Sequence, residues 1–278
     1  MAGLDNMWEL SLFVLAMLFA GVIAGFVAGL LGVGGGIVLV PVLYYIMSAI
    51  DVAPEYRMHI AVGTSLTTIV ITAYFSAKTH YQKGSIDMAL LKSWGPWLFV
   101  GAVGAMFAFG SIDSSALSGI FGTVALLVAI YMFFKKDRPD EAQFGSLPKG
   151  PFRWLSGLLV GSISSVMGIG GGTLSVPLLS IFKYPIRQAV GTAAAIGLII
   201  AIPGAIGAFL SGLGKPDLPP FSLGFVNVIA FIILVPITGM VAPYGARAAH
   251  AINPLYLRYA FVAFLLFNAY NMLKNAWG

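Results

Sequence analysis

The chain has no cysteine. That excludes a disulfide framework, a thiolate nucleophile and a cysteine-held metal centre. Charge is nearly as scarce. Only 9% of the 278 residues are charged and 59% are hydrophobic, whereas a soluble domain is about a quarter charged. A water-soluble chain of this length needs far more polar surface, so lipid is expected to cover most of it. The net charge of +5 comes from basic residues lying between apolar runs. It is read as a signal for membrane orientation and not for nucleic acid. Also missing are a His-Glu-x-x-His and a carboxylate dyad within an apolar segment, so neither an enzyme nor a metal or cofactor site is expected. No basic stretch precedes the first apolar run. Asp5 and Glu9 stand there instead, which favours a structural segment over a cleaved leader.

Ten apolar segments are present: Leu10–Ala28, Ile37–Ile50, Ile60–Ala77, Trp94–Phe109 and Ala116–Phe134, then Trp154–Met167, Thr173–Phe182, Ala189–Leu210, Phe221–Val241 and Leu255–Leu273. A full span takes about 20 residues, so the second and seventh are short. Each directly follows a glycine cluster, Gly32-Val33-Gly34-Gly35-Gly36 or Gly168-Ile169-Gly170-Gly171-Gly172. Short, Gly/Pro-interrupted segments at matching places in two halves point to a transporter's binding site.

The repeat is explicit. Gly21, Gly25, Gly32, Gly34, Gly35, Gly36, Pro41 and Leu43 recur 136 positions later, and Ala61-Val62-Gly63-Thr64 recurs 128 positions later as Ala189-Val190-Gly191-Thr192. The expected organisation is an all-α polytopic membrane protein with a first transmembrane repeat over 1–134, a linker over 135–153 and a second repeat over 154–278. Two topologies fit. If each glycine cluster is the tip of a re-entrant hairpin, ten segments reverse direction and Lys plus Arg divide 12 against 3 between the two sides. If each is a break inside one span, there are eight spans and the division is 10 against 5. Both put the linker in the cytoplasm. The first is the sharper positive-inside pattern, and with five segments per half it makes the halves inverted repeats.

Three features carry candidate chemistry. Consecutive glycines cost a helix about 1 kcal/mol each, and loose amides in lipid are tolerated only where protein or water satisfies them. The amides of Gly34, Gly35, Gly36, Gly170, Gly171 and Gly172 are therefore expected to face an anion at a helix start, with Pro41 and Pro177 able to bend the short helix that follows. Close helix packing is the competing explanation. Next, Thr64, Ser65 and Thr192 place hydroxyls near His59, Arg187 and Gln188, a donor set suited to an oxyanion, although such hydroxyls also bond back to their own helix. Finally, Lys78 and His80 end the third segment and are read as interfacial residues. None of the ten acids lies at the centre of an apolar segment. Cation sites and proton relays put carboxylates there, so the expected substrate is a small anion.

The two glycine clusters with Pro41 and Pro177, the Ala-Val-Gly-Thr after each, and Gly245-Ala246-Arg247 followed by Leu257-Arg258 resemble the TauE/SafE family of sulfite and organosulfonate exporters, over essentially the whole chain. The resemblance implies export of a small sulfur-containing anion (sulfite, sulfoacetate or a related sulfonate) across the bacterial inner membrane. The first reading of the residues is accordingly a lipid-embedded secondary carrier that works by alternating access. A passive anion channel, or a carrier of another small organic anion, stays open at this point, as does homo-oligomer formation. The halves differ at one hydroxyl, because Ala193 stands where Ser65 has its partner.

Overall fold

The computed structural model describes residues 7–31, 35–134, 146–251 and 254–277. They form ten helices and one short hairpin: α1 (Met7–Leu31), α2 (Gly36–Ala49), α3 (Pro54–Gln82), α4 (Met88–Phe109), α5 (Ser114–Phe134), α6 (Pro151–Met167), α7 (Gly172–Ile181), α8 (Ile186–Ser211), β1 (Ser222–Leu223), β2 (Val226–Asn227), α9 (Val228–Ala251) and α10 (Pro254–Trp277). The ten apolar segments thus become ten helices. Several helices outrun their apolar windows, because polar first turns are favourable at a helix start. Helix α3 begins on Pro54 at its first position, where a missing N–H costs nothing, and it takes Glu55, Arg57 and His59 into the helix. Helix α4 begins six residues before Trp94, capped by Asp87, whose carboxylate accepts the Leu90 N–H at 2.8 Å. Helices α3, α4, α5 and residues 187–211 of α8 are long and apolar enough to cross a membrane.

The second glycine cluster is a helix-stop followed by a restart. Gly168 ends α6 in the left-handed region (φ 69°). The Gly168 N–H donates to Ser165 O and the Ile169 N–H to Ser164 O, both at 3.2 Å, which is the Schellman pattern. Gly170 is left-handed again (φ 63°), and Gly171 precedes α7. Two left-handed residues in three positions require glycine. In the first cluster, residues 32–34 lie outside the described set.

Helices α3 and α8 form the centre and run antiparallel. Gly63 faces Ala208, Leu66 faces Gly204 and Ala73 faces Gly197. Helix α1 runs parallel to α9, with Gly21 against Leu234 and Ile237 and Gly25 against Thr238 and Val241. Helix α6 runs parallel to α4 in the same manner, with Gly157 against Trp94 and Trp97 and Gly161 against Leu98. Helices α5 and α10 pair antiparallel outside them through Gly122 and Leu273. Exchanging each helix for the one five places later maps α1–α9 onto α6–α4, α2–α3 onto α7–α8 and α3–α9 onto α8–α4, all of which are contacts.

Loops sort to two ends of this bundle. Those before α3, between α4 and α5, and between α8 and α9 meet at one end through Thr64–Asn227 and Gly110–Ser211. Those before α4, α6 and α8 meet at the other through Thr192–Asp87 and Arg153–Ser93. Helices α1 and α2 therefore form a hairpin entering from the first end, and α6 and α7 one entering from the second. Large apolar side chains such as Phe107 (77% exposed) and Met240 (72%) line the flanks, a surface suited to lipid and not to water.

The ninth apolar segment, expected from Phe221, opens on a hairpin, and its helix starts only at Val228. β1 and β2 pair antiparallel with Leu223 opposite Val226, and Gly224 takes φ 57° at the first turn position, where a type II′ turn needs glycine. The Phe225 that follows is buried against α3.

Two glycines give a measurable contrast. A Cβ on Gly63 would lie closer than 3.0 Å to the Phe225 carbonyl oxygen, whereas one on Gly84 meets nothing within 4 Å but needs φ 63°. Gly63→Ala should cost about 1–3 kcal/mol through overpacking, and Gly84→Ala about 1 kcal/mol through backbone strain. Thermal melts of the two variants in detergent check this, and the reverse order would refute the close-approach explanation.

Candidate functional site

The two hairpin tips touch at mid-bundle. A Cβ on Gly36 would stand 2.5 Å from the Gly168 carbonyl oxygen and 2.6 Å from Ile169 Cα. The Ser65 hydroxyl, on α3, donates to the same Gly168 carbonyl at 2.7 Å. Ile69 reaches over Gly170, and Ile196 from α8 lies so close to Gly171 that a Cβ there would overlap it. The starts of α2 and α7 therefore converge on one place from opposite ends. First-turn N–H groups of a helix have no partner within it, so this is where the chain concentrates positive backbone dipole. No Asp or Glu lies among these residues.

Two further hydroxyls flank the second tip. Ser164 on α6 and Ser175 on α7 are fully buried, and neither Oγ has a hydrogen-bond partner. Each lies four residues from the tip glycines, one before Gly168 and one after Gly171. A buried hydroxyl without a partner costs about 1–3 kcal/mol. The matching residues of the first half are Ala28 and Leu39, so only the second hairpin carries this donor pair. Sequence reasoning passed over both serines. The signal was present only as the equal spacing of these two from the glycine turn, in a hairpin that also holds Ser162, Ser165 and Thr173.

The threonines of the Ala-Val-Gly-Thr repeats face elsewhere. The Asn227 N–H donates to Thr64 Oγ1 at 2.9 Å, and the Asp87 N–H donates to Thr192 Oγ1 at 2.9 Å. Each acceptor thus holds the capping residue of a helix from the opposite half, because the Asn227 side chain in turn accepts the Ala230 N–H as Asp87 accepts that of Leu90. The preceding Gly63 and Gly191 let the carbonyls of Phe225 and Ser85 approach. A third matching stretch between the two halves lies in these loops: Gly84-Ser85-Ile86-Asp87 corresponds, 140 positions later, to Gly224-Phe225-Val226-Asn227, and both glycines have positive φ.

The cations are spread apart. Arg187 is exposed at the start of α8 and Gln188 is half-buried beside it, well away from the tips. Arg57 is taken up by the end of α2, donating to Val52 O at 2.7 Å and Ser48 Oγ at 3.1 Å. Pro41 and Pro177 lie inside α2 and α7. Gly34 falls outside the described residues. His59 is 4% exposed and borders a cavity of about 200 Å³ at the end of the bundle where α3 begins. The expected donor set is therefore divided: Gly35, Gly36, Gly170, Gly171, Gly172 and Ser65 come together, whereas Thr64, Thr192, His59, Arg187 and Gln188 do not join them.

The family model described as sulfite exporter TauE/SafE matches residues 17–272. The chain belongs to that family. It is 33% identical to a "Probable membrane transporter protein" of Haemophilus influenzae over 94% of this chain and 98% of the relative. It is 28% identical to a probable membrane transporter protein of Methanocaldococcus jannaschii over 90% and 92%, and 28% identical to another of Bacillus subtilis over 84% and 86%. No solved structure matches. The TauE/SafE chain is thus a membrane transporter, and its fold places two broken-helix tips where such a protein needs a site.

At the end of the bundle beside α6, a polar cluster ties the halves together. The Tyr184 hydroxyl donates to Asp87 Oδ2, and Arg153 donates to Ser93 Oγ at 2.8 Å and to the carbonyls of Leu147 and Pro148. Burial alone would raise the Asp87 carboxyl. The Tyr184 hydroxyl, the N–H groups of Leu90 and Ala89 and the Arg153 charge together hold it below the usual carboxylate range. Tyr184 is pushed up by burial and by Asp87, so it stays a donor at physiological pH. A carboxyl with a depressed folded pKa contributes stability that is complete above its unfolded pKa and is lost as pH falls through the folded one. The melting temperature should therefore fall below about pH 4. Tyr184→Phe should shift that fall to higher pH, and Asp87→Asn should flatten it while lowering the neutral-pH value. Melts between about pH 3 and 7 check both, and an unchanged acid limb in Asp87→Asn would refute the assignment.

Proposed function

We propose that this TauE/SafE transporter exports a small sulfur-containing oxyanion, of the class of sulfite, sulfoacetate or a related organosulfonate, across the bacterial inner membrane by alternating access. The reading rests above all on one observation: two helix starts, entering from opposite ends, meet beside bare hydroxyls in a region that holds no carboxylate. N–H groups and hydroxyls satisfy a dispersed negative charge without the desolvation cost of a buried cation. A sulfonate offers three acceptor oxygens, enough to engage the N–H groups of Gly36 and Gly172 and the hydroxyls of Ser65, Ser164 and Ser175. Because the tips contact each other, the anion enters when one hairpin withdraws toward its own end of the bundle. Each hairpin then gates the site to one side. The halves act as inverted repeats about the membrane plane, and each half, 1–134 and 154–278, carries one gate. The positive-inside imbalance puts the linker 135–153 in the cytoplasm and the α8–α9 hairpin outside.

In proteoliposomes the protein should show sulfoacetate counterflow, which a passive channel does not. Ser175→Ala and Ser164→Ala should each weaken sulfoacetate affinity by roughly 10–100-fold, about one lost hydrogen bond to an ion, while raising the melting temperature, because each removes a buried hydroxyl that has no partner. Counterflow that both variants perform with wild-type affinity would refute the site. The absence of native cysteine makes sidedness accessible: in intact cells an impermeant maleimide should label Lys215→Cys and spare Ser146→Cys, and the opposite pattern would invert the orientation.

A further inference from the structure

The cavity at the α3 end of the bundle has exposed acidic and basic groups at its rim and a histidine at its base. Glu55 and Tyr56 of α3, Asp113 of the α4–α5 loop and Lys215 of the α8–α9 loop are the titratable groups facing it, with the Ser111 and Ser114 hydroxyls beside them. At about 200 Å³ it holds several waters. His59 borders the same space with its imidazole enclosed. Phe225 lies 4.7 Å away at 32°, and Phe109 5.2 Å away at 68°.

The geometry fixes the tautomer. His59 Nδ1 is 3.0 Å from the Glu55 carbonyl oxygen. A carbonyl only accepts, so Nδ1 carries the hydrogen, and Nε2 of the neutral ring is a bare lone pair. That atom is buried and has no hydrogen-bond partner. Burial works against a charge on the ring, whereas the nearby carbonyls of Phe109 and Ile112 and the Phe225 ring 4.7 Å away work in its favour. In the repeat, His59 corresponds to Arg187, 128 positions on. The helix that opens at one end of the bundle thus starts with a permanent charge, and its partner at the other end starts with a charge that depends on pH.

We infer that His59 is a proton-binding site reached through the cavity at the α3 end of the bundle, and that its protonation tightens binding of the anion at the hairpin tips. The proton moves from cavity water to the Nε2 lone pair, leaving hydroxide or neutral water behind according to the donor. No other bond changes. His59 and Ser65 lie on one helix six residues apart, roughly 9 Å along its axis. A unit positive charge at that separation in protein raises affinity for a monoanion by about tenfold. The linkage is reciprocal, so the anion also tightens the proton. In the proposed orientation the cavity faces outward, and external acid holds the anion on the carrier and slows export. The proton site itself stands without the transport reading, and only its effect on the anion rests on that reading.

The test uses the purified full chain and sulfoacetate, whose charge is constant over the range. By calorimetry the wild-type affinity should rise at least about tenfold, since sulfoacetate carries two negative charges, as pH falls from about 8 to 5, and His59→Gln should show no such slope. A flat wild-type profile, or a wild-type slope in His59→Gln, would overturn the anion linkage. Lys215→Gln, at an exposed side chain with little risk to folding, should raise the midpoint by a few tenths of a pH unit or so, because it removes a positive charge facing the imidazolium. An unmoved or lowered midpoint counts against the cavity as the proton's access. Imidazole ¹⁵N spectra, assigned by difference with His59→Gln, separate the two failures. If sulfoacetate never binds but Nε2 of His59 passes from bare to protonated in this range, the proton site holds and the substrate reading fails. A His59 Nε2 that stays bare throughout overturns the proton site.

Discussion

A backbone N–H or carbonyl that leaves a helix inside lipid must find a partner, since water is absent there to supply one. The architecture follows from how this chain meets that demand. Where α4 and α9 begin, the N–H of the capping residue is taken by a threonine hydroxyl from the opposite half, and the capping side chain takes the next free N–H. Where α6 stops, a Schellman pattern absorbs two N–H groups, and the Gly168 carbonyl is taken by Ser65, again from the opposite half. The halves are thus joined by polar bonds at each end and at the middle, with apolar packing between. Small residues at the α3–α8 crossing let the backbones close to these distances, which is also the usual basis of helix association in lipid.

Against this shared framework the differences between halves become informative. Asp87 corresponds to Asn227, Ser65 to Ala193, His59 to Arg187, and the Ser164–Ser175 pair to Ala28 and Leu39. None of these differences is needed to keep the helices together, because the neutral Asn227 caps α9 as well as the charged Asp87 caps α4. What they change is chemistry. One end carries a carboxylate locked by a tyrosine, whereas the other carries a titratable ring beneath a buried phenylalanine. A carrier with identical halves would be indifferent to direction. These substitutions break that equivalence, and they do so where the gates would be.

The ten elements and the matching of the halves were legible because lipid enforces long apolar runs and because glycine, with its special backbone tolerance, recurs wherever the repeat turns sharply. The roles of the hydroxyls were not legible. Thr64 and Thr192 follow a glycine at a helix start, and from sequence that pattern fits an anion site or a capping clasp equally well. Only the positions of Asn227 and Asp87, 163 and 105 residues away, decide it. The loop repeat ending in those two residues escaped notice because it shares one glycine and a capping residue, too little to register without the paired φ values. Ser164 and Ser175 were hidden for the opposite reason. They stand among other serines of the hairpin, such as Ser162 and Ser165, and a serine in a helix ordinarily bonds back to its own carbonyls, so the lack of a partner at these two is a property of the packed hairpin.

The contact between the tips sets what any substrate must overcome. Gly36 and Gly168 touch backbone to backbone, so there is no vacant space at their junction for a sulfonate, and binding must separate surfaces that satisfy each other only in part. The Ser65 bond to Gly168 would be exchanged for one to the anion, while Ser164 and Ser175 would gain bonds that they lack. That difference favours the liganded state without requiring a strong site. Under the proposed mechanism a carrier would benefit from this arrangement, because an anion held by a few hydroxyls and helix-start N–H groups would be released when either hairpin returned to its neighbour. A buried arginine at the same place would bind more tightly, and it would leave an unpaired charge in the empty carrier on every return. The exposed Arg187 keeps its charge at one mouth, where water can solvate it, and the centre is left neutral.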